Sequence, residues 1–379
     1  MLNKNKLINI IFATIIIAVS ILILVYLDIH EKSFRYEISI INKALVYAVI
    51  ALSMNIAIGF TGLFSLGQAG FLAIGAYVTA ILTISPEDKI SVYYVDGVAN
   101  FLQNIQFSPV VAILIGGLSA AIVASILGFP VLRLKSDYLA IATLGFAEII
   151  RAVIATPQLN LPGLKINMNR ITNGSFGLKN IPNFKSSLEC FIYCLICIIL
   201  MIFIIKSTIG RDFRAVREDE IAAQSVGINI FKTKELSFII SSFFTGIGGG
   251  LLAMYLRSIE SKTFSINLTY EILLMVVLGG IGSISGSIVG SFLVNVGKEV
   301  LRFCDTPQYI FGIQIPIFRT GFRMVIYSIL LMIIVLFFRK GIMGGKEISP
   351  KEISKFLKRT VDKFKMFINR IKKKKGEIR

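Results

Sequence analysis

Long apolar runs are the feature that most constrains how this chain can fold. They cover residues 7–27, 38–58, 108–129, 188–205, 236–255 and 321–338. An apolar helix of about 20 residues spans the hydrocarbon core of a bilayer. Helices are the spanning form that such runs adopt, because lipid offers no hydrogen-bond partners to exposed backbone groups. The sequence therefore predicts an all-α, polytopic membrane helix bundle with about 8 to 10 transmembrane segments.

Composition and charge exclude an ordinary soluble domain. The 379 residues are 55% hydrophobic and 16% charged, and the mean hydropathy is +0.77. The formal net charge of +18 comes from basic residues in loops beside the apolar runs and near the C-terminus. This distribution is typical of the positive-inside rule and of contact with anionic lipid, and it argues against nucleic acid as a partner.

We predict a transmembrane domain, residues 1–344, followed by a basic amphipathic cytoplasmic tail, residues 345–379. In the tail, apolar residues such as Ile353 and Phe364 recur at helical spacing, and lysines such as those at 372–375 supply a basic side. This pattern predicts an interfacial helix that lies on anionic membrane lipid. A disordered tail is the alternative.

The polar segment, residues 210–228, separates two of the apolar runs. Its sequence, GRDFRAVREDEIAAQSVGI, is too polar for hydrocarbon, and its arginines predict a cytoplasmic position. We expect one helix with a polar face and an apolar face, which carry Arg211, Arg214 and Glu218, and Phe213, Val216 and Ala223, respectively. Arg214 and Glu218 have the spacing of an ion pair. From these residues alone, a docking helix and a solvated loop are equally open.

Four further blocks accompany the polar segment in a fixed order. They are NIAIGFTGLFSLGQAGFLAIGAY (55–77), LRLKSDYLAIATLGFAEIIR (132–151), TNGSFGL (172–178) and EILLMVVLGGIGSISGSIVG (271–290). Together the five blocks resemble the LivM-type permeases of binding-protein-dependent branched-chain amino acid ABC importers. The resemblance covers roughly residues 45–344. In TNGSFGL, Asn173 stands where the family usually has a glycine, and asparagine tolerates a left-handed backbone.

The resemblance implies a transport subunit that is not an enzyme and that carries Leu, Ile or Val across the cell membrane. It implies a second permease subunit, two ATP-binding subunits and an extracytoplasmic substrate-binding protein as partners. ATP and Mg would bind to the ATPase subunits, and no cofactor is expected in this chain. Its GIMGGKE stretch, residues 341–347, lacks the spacing of a phosphate-binding loop. The implied location is the bacterial inner or plasma membrane, with both termini cytoplasmic.

The resemblance also implies that the polar segment couples the permease to the ATPase. The coupling residues are then Gly210, Arg211, Phe213, Arg214, Arg217, Glu218, Asp219, Ala222, Ala223 and Gly227.

Polar groups inside predicted spans are the candidates for a translocation path. Glu148 and Arg151 offer one charge of each sign, as a zwitterionic amino acid requires, although mutual neutralisation is the favoured alternative. Asn55 and Gln68, in the Gly-rich block 55–77, are further candidates.

Glycines form a third set, with roles in helix packing or as hinges. Small residues allow close helix packing, and they also permit broken helices that line a polar path. The set is Gly67, Gly70, Gly75, Gly246, Gly250, Gly279, Gly280, Gly282, Gly286 and Gly290. The apolar piece 272–278 is too short to cross, so we expect residues 271–300 to enter from outside, turn at Gly279–Gly282 and return.

Three other functions are weighed against a branched-chain amino acid importer. Related permeases carry urea or other amino acids. An ion-coupled secondary carrier needs intramembrane carboxylates or histidines, and Glu148 is the one good candidate. A membrane enzyme is disfavoured because the single histidine, His30, has no evident partner. Cys190, Cys194 and Cys197 share a helical stripe, which indicates apolar lining rather than a metal site.

Overall fold

The computed structural model describes residues 4–134, 136–161, 164–305, 309–310, 313–314, 325–326, 328–329, 332 and 341–343. The predicted tail, residues 345–379, and most of the predicted last span, residues 321–338, lie outside the described residues.

Helices make up most of the described chain. They are α1 (Lys4–Ile29), α2 (Glu31–Asn55), α3 (Gln68–Thr83), α4 (Pro86–Val92), α5 (Asn100–Gln103), α6 (Pro109–Val131), α7 (Ser136–Ala155), α8 (Asn169–Thr172), α9 (Ser187–Lys206), α10 (Thr208–Glu218), α11 (Glu220–Ser225), α12 (Ile230–Leu256), α13 (Ile266–Gly279) and α14 (Ile284–Val300). A π-helical turn, Ile56–Phe60, continues α2.

The described residues include two short hairpins, one between α7 and α8 and one that follows α14 in the chain. Strand β1 (Gln158–Leu161) pairs antiparallel with β2 (Leu164–Asn167), and β3 (Tyr309–Ile310) pairs antiparallel with β4 (Ile313–Gln314). These strands contain no more than four residues each. The predicted all-α class is confirmed.

Several helices have the length and apolarity that a membrane crossing requires. Among the described residues there are five: Glu31–Phe60, Pro109–Val131, Tyr138–Ala155, Ser187–Lys206 and Ile230–Leu256. Helix α3 with α4, bent by 119°, is a sixth candidate, and two apolar helices, Thr14–Ile29 and Ile266–Gly279, are shorter. The polytopic bundle is therefore confirmed, while the number of about 8 to 10 spans stays a prediction.

Helices α2, α3 and α12 form the interior of the bundle. The second half of α2 is buried without interruption from Ala44 to Asn55. Helix α6 packs on α3 and α12, yet its other face exposes Leu118, Ile122 and Ile126. An outward apolar face of this kind is suited to lipid.

Glycines bring α3 and α12 into backbone contact. A Cβ atom added at Gly75 would lie 2.0 Å from the carbonyl oxygen of Gly246, and one at Gly249 would lie 2.2 Å from that of Leu72. A Cβ at Gly250 would lie 2.5 Å from Oγ1 of Thr79. These distances are shorter than van der Waals contact, so α3 and α12 can cross this closely only because glycine has no side chain.

Helix α7 approaches α3 through two other glycines of the predicted set. A Cβ at Gly70 would lie 2.8 Å from the Cα of Ala147, and one at Gly67 would lie 3.1 Å from the carbonyl oxygen of Thr143. The first turn of α3 therefore packs on the middle of α7.

Helices α13 and α14 form an antiparallel hairpin with its turn where the glycines predict it. A Cβ at Gly279 would lie 2.0 Å from the carbonyl oxygen of Gly286, and one at Gly290 would lie 2.2 Å from that of Met275. The turn contains Gly280 (φ 123°) and Gly282 (φ 79°). The first arm, α13, has 14 residues and extends about 21 Å, which is shorter than the hydrocarbon core of a bilayer; that this piece is too short to cross on its own stays a prediction.

One end of the bundle gathers the polar segment, the π-helical turn and the hairpin turn. The Nη1 of Arg217 donates to the carbonyl oxygen of Gly59 over 2.7 Å, and Nδ2 of Asn55 donates to that of Ser283 over 2.9 Å. The amides of Ile342 and Met343 donate to the carbonyl oxygens of Leu278 and Gly279 at the end of α13, beside the same turn. We call this end of the bundle the polar-segment end.

The opposite end of the bundle contains a buried lysine that was not singled out from the sequence. The side chain of Lys89, in α4, is fully buried. Its Nζ donates to the carbonyl oxygens of Leu102 at 2.9 Å and Ile105 at 2.5 Å, at the C-terminal end of α5. A cation there also suits the helix dipole.

Substituting Gly75 by alanine should destabilise the bundle. The new methyl group meets a backbone oxygen that cannot rotate away, so α3 and α12 must separate, at a cost of about 1–3 kcal/mol. Gly145→Ala on α7 is the matched control, because a Cβ there meets nothing within 4 Å. Thermal unfolding of the purified protein should show a lower melting temperature for Gly75→Ala alone. Equal melting temperatures for the two variants would contradict this packing.

Candidate coupling site and translocation path

The polar segment folds as two helices, so the expectation of one continuous helix is wrong. Asp219 separates α10 from α11 with an extended backbone (φ −158°, ψ 116°). Its carboxylate accepts hydrogen bonds from the amides of Ile221 at 2.8 Å and Ala222 at 3.0 Å. Aspartate is among the preferred N-cap residues, and here the cap outweighs helical continuation. At the far end of the segment, Gly227 turns the chain with φ 88°.

The predicted apolar face is used inside this protein. Phe213, Val216 and Ala223 are buried, with exposed fractions of 0%, 2% and 3%. They attach the segment to the membrane helices, because α10 packs against α9, α12 and the π-helical turn. The apolar face is therefore covered by the protein's own helices and is not available to a partner. Gly210 serves the same attachment, since a Cβ there would lie 2.1 Å from the carbonyl oxygen of Ile205.

The predicted ion pair between Arg214 and Glu218 is also wrong. Arg214 donates to the carbonyl oxygens of Gly210 at 3.2 Å and Ile205 at 3.4 Å. Glu218 pairs with its neighbour Arg217, and the hydrogen bond from Arg217 lowers the pKa of the Glu218 carboxyl.

A different surface of the segment remains open. Ile221 and Val226 are 82% and 75% exposed, and Arg211 and Ala222 are exposed too. The side chains of Ile221 and Val226 are among the most exposed large apolar residues of the part of the chain that the structure describes. Arg211 and Ala222 are among the predicted coupling residues, whereas Ile221 and Val226 were not singled out from the sequence.

A break in the helical structure follows the π-helical turn. Residues 61–67 have no helical hydrogen bonding before α3 begins, yet Thr61 and Ser65 are buried. Non-helical backbone at membrane depth is tolerated where protein or a polar cavity surrounds it. Broken helices of this type form the substrate sites of many transporters.

Gln68 begins α3 inside a buried polar cluster. Its Nε2 donates to Oγ of Ser53 at 3.3 Å and to Oγ1 of Thr245. Ser241 also donates to the carbonyl oxygen of Ser53, over 2.7 Å. The cluster joins α2, α3 and α12 next to the break.

Asn55 links α2 to the α13–α14 hairpin through side-chain hydrogen bonds. Its Nδ2 donates to the carbonyl oxygen of Ser283 (2.9 Å) and to Oγ of Ser287 (2.7 Å), and its Oδ1 accepts from the amide of Gly282 (2.9 Å). Each polar atom of this buried side chain has a protein partner.

Glu148 and Arg151 pair with each other on α7. Oε2 of Glu148 accepts from Nε of Arg151 at 2.7 Å and from its Nη2 at 2.6 Å. About a third of each side chain is exposed, 30% for Glu148 and 32% for Arg151. The pair lies far from the polar cluster in sequence but shares a helix with Thr143, whose Oγ1 accepts from the amide of Leu66 over 3.0 Å.

The TNGSFGL block adopts the turn that a glycine would otherwise supply. Asn173 has φ 58° and ψ 17°, in the left-handed region. Its Nδ2 donates to the carbonyl oxygens of Val92 at 3.1 Å and Gly177 at 2.7 Å, so the side chain also holds the loop together.

Comparison with known proteins gives one consistent family. Residues 36–336 match the family described as "Branched-chain amino acid transport system / permease component". The chain is 33% identical over 292 residues to the high-affinity branched-chain amino acid transport system permease protein LivM of Escherichia coli, covering 71% of this chain and 64% of that protein. It therefore spans less than two thirds of that relative's length. No solved structure matches it significantly.

In two further matches, a larger share of the relative's length is covered. The probable branched-chain amino acid transport permease protein LivM of Methanocaldococcus jannaschii is 26% identical over 82% of this chain and 94% of its own. The Escherichia coli permease protein LivH of the same transport system is 22% identical over 80% of this chain and 92% of its own.

Reversing one charge of the ion pair should destabilise the protein, and reversing both should restore it. Glu148→Arg leaves two guanidinium groups three residues apart, and an unpaired charge near the centre of a span costs about 2.5–3.5 kcal/mol. The combined Glu148→Arg and Arg151→Glu variant can form the pair again. Melting temperatures of the purified proteins test this. A double variant no more stable than Glu148→Arg would contradict it.

Proposed function

Since the chain belongs to the family of branched-chain amino acid transport system permease components, we propose that it is a membrane subunit of an ATP-driven importer. The subunit carries Leu, Ile or Val across the bacterial cell membrane. ATP and Mg bind to partner ATPase subunits. A second permease subunit and an extracytoplasmic substrate-binding protein complete the complex.

The observation that carries the proposal is the construction of the polar segment. Its apolar face is buried against α9, α12 and the π-helical turn, so a force applied to the segment reaches the bundle. Its other side presents Ile221 and Val226 to the surroundings. A coupling element needs both properties, a firm attachment on one side and an open contact surface on the other.

The orientation follows from charge. The polar segment carries Arg211, Arg214 and Arg217, and an excess of such residues marks a cytoplasmic loop. The polar-segment end is then cytoplasmic. Ile342 and Met343 lie at this same end, which supports a cytoplasmic C-terminus.

The substrate path runs beside the helix break. Polar backbone at residues 61–67 and the cluster around Gln68 lie between α2, α3 and α12. The ion pair of Glu148 and Arg151 flanks it on α7. Asn55 contributes by holding the hairpin in register and does not contact substrate, because its amide is occupied.

Reconstituted transport tests the function as a whole. The complete complex in proteoliposomes should accumulate labelled leucine when ATP and loaded binding protein are supplied, and unlabelled isoleucine and valine should compete. Urea should not compete. Uptake that persists without ATP and responds to an ion gradient would contradict the proposal and favour a secondary carrier.

The exposed apolar pair tests the docking surface. Ile221→Asp should leave the permease folded but reduce the ATPase that copurifies with it, since a buried contact with the partner gains an unpaired charge. Phe213→Ala should instead lower the stability of the permease itself, by about 3–5 kcal/mol, because it opens a cavity in its own core. Copurification yields and melting temperatures separate the two effects. An Ile221→Asp variant that binds ATPase normally would contradict this assignment.

A further inference from the structure

Arg217 joins the polar segment to the helix break. It lies in the last turn of α10, and its Nη1 donates to the carbonyl oxygen of Gly59 over 2.7 Å. Glu218 holds the rest of the guanidinium group through Nε, at 3.1 Å, and through Nη2. About a third of the Arg217 side chain, 34%, is exposed.

The hydrogen bond meets a backbone group that needs a partner. The helix of α2 and its π-helical turn end at Phe60, and carbonyl groups in a last turn lack helical partners. Leu63, whose amide could bond to Gly59 in a continuing helix, donates instead to Ala57 over 2.9 Å. The guanidinium thus satisfies the free carbonyl, and its charge suits the C-terminal end of the helix.

Two glycines, Gly62 and Gly282, make room for this arginine, and a third, Gly59, lets the π-helical turn approach the hairpin turn. A Cβ at Gly62 would lie 3.1 Å from Cγ of Arg217, and one at Gly282 would lie 2.7 Å from its Nη1. A Cβ at Gly59 would lie 2.4 Å from the amide nitrogen of Gly282. The three glycines belong to the π-helical turn, the break and the hairpin turn, so one side chain contacts all three irregular elements.

The same elements are tied to one another. Asn55 accepts from the amide of Gly282 and donates to Ser283. A displacement of Arg217 therefore displaces the helix break and the α13–α14 hairpin together.

We propose that Arg217 is a positioning residue that transmits movement of the polar segment to the helix break and to the α13–α14 hairpin. The inference rests on the proposed function, because the movement originates in the ATPase. Arginine suits the role, since its planar, permanently charged fork binds a carbonyl and a carboxylate at the same time. Arg214, by contrast, bonds within α9 and α10 and reaches neither element.

The test compares coupling in the reconstituted complex. Variants Arg217→Ala and Arg217→Lys are measured beside Lys232→Gln, which removes an exposed basic residue near the same end of the bundle. The readouts are copurified ATPase, ATP hydrolysis and leucine uptake driven by loaded binding protein. The ratio of leucine transported to ATP hydrolysed measures the coupling.

Arg217→Ala should retain its ATPase and hydrolyse ATP while the coupling ratio falls about tenfold or more, as loss of a charge-assisted hydrogen bond implies. Arg217→Lys should lie between, because its single ammonium cannot hold Gly59 and Glu218 together. If the Arg217→Ala permease fails to fold, Arg217→Lys decides the matter. Lys232→Gln should behave as the wild type.

Two results would overturn the inference. One is a coupling ratio in the Arg217 variants equal to that of Lys232→Gln. The other is a loss of copurified ATPase that matches the loss of uptake, which would make Arg217 part of the docking surface. If the wild-type complex itself shows no ATP-dependent leucine uptake, the proposed function fails instead.

Discussion

Helices in lipid gain little from apolar contact with one another, so this bundle depends on direct backbone approach at glycines. Gly75 and Gly246 bring α3 and α12 together, and Gly279 and Gly286 do the same within the α13–α14 hairpin. Such close contact leaves few side chains between the interior helices. A rigid displacement at one end of the bundle is then passed on by backbone contact instead of being absorbed by side-chain rearrangement.

Three irregular elements lie near the polar-segment end or just inside it. The π-helical turn, the break at residues 61–67 and the hairpin turn expose backbone groups that helices would have satisfied. Asn55 and Arg217 take over those hydrogen bonds. The fold therefore places irregular backbone next to the segment that we propose as the coupling site, where a transporter needs an element with two arrangements.

Much of the fold could be predicted from the sequence, because apolar runs and glycine spacing are local signals. The hairpin turn at Gly279–Gly282 and the left-handed Asn173 are examples. The candidate coupling site was harder to predict from the sequence. An amphipathic pattern shows that Phe213 is buried but not whether its own chain or a partner covers it. Asp219 could either continue one helix or cap the start of a second one, and the sequence does not decide between the two.

Contacts between residues that are distant in sequence could not be predicted either, because the sequence signals are local. Arg217 and Gly59 are 158 positions apart, and the carbonyl partners of Lys89 lie at and just beyond the C-terminal end of α5. The account predicts that the polar segment and the break move as one body. Spin labels at Ser225 and Phe64, both exposed, measure this in the complex. The Ser225–Phe64 distance should not change when ATP is added, whereas the distance from Ser225 to a label at Tyr94 should. A Ser225–Phe64 distance that changes with ATP would contradict the account.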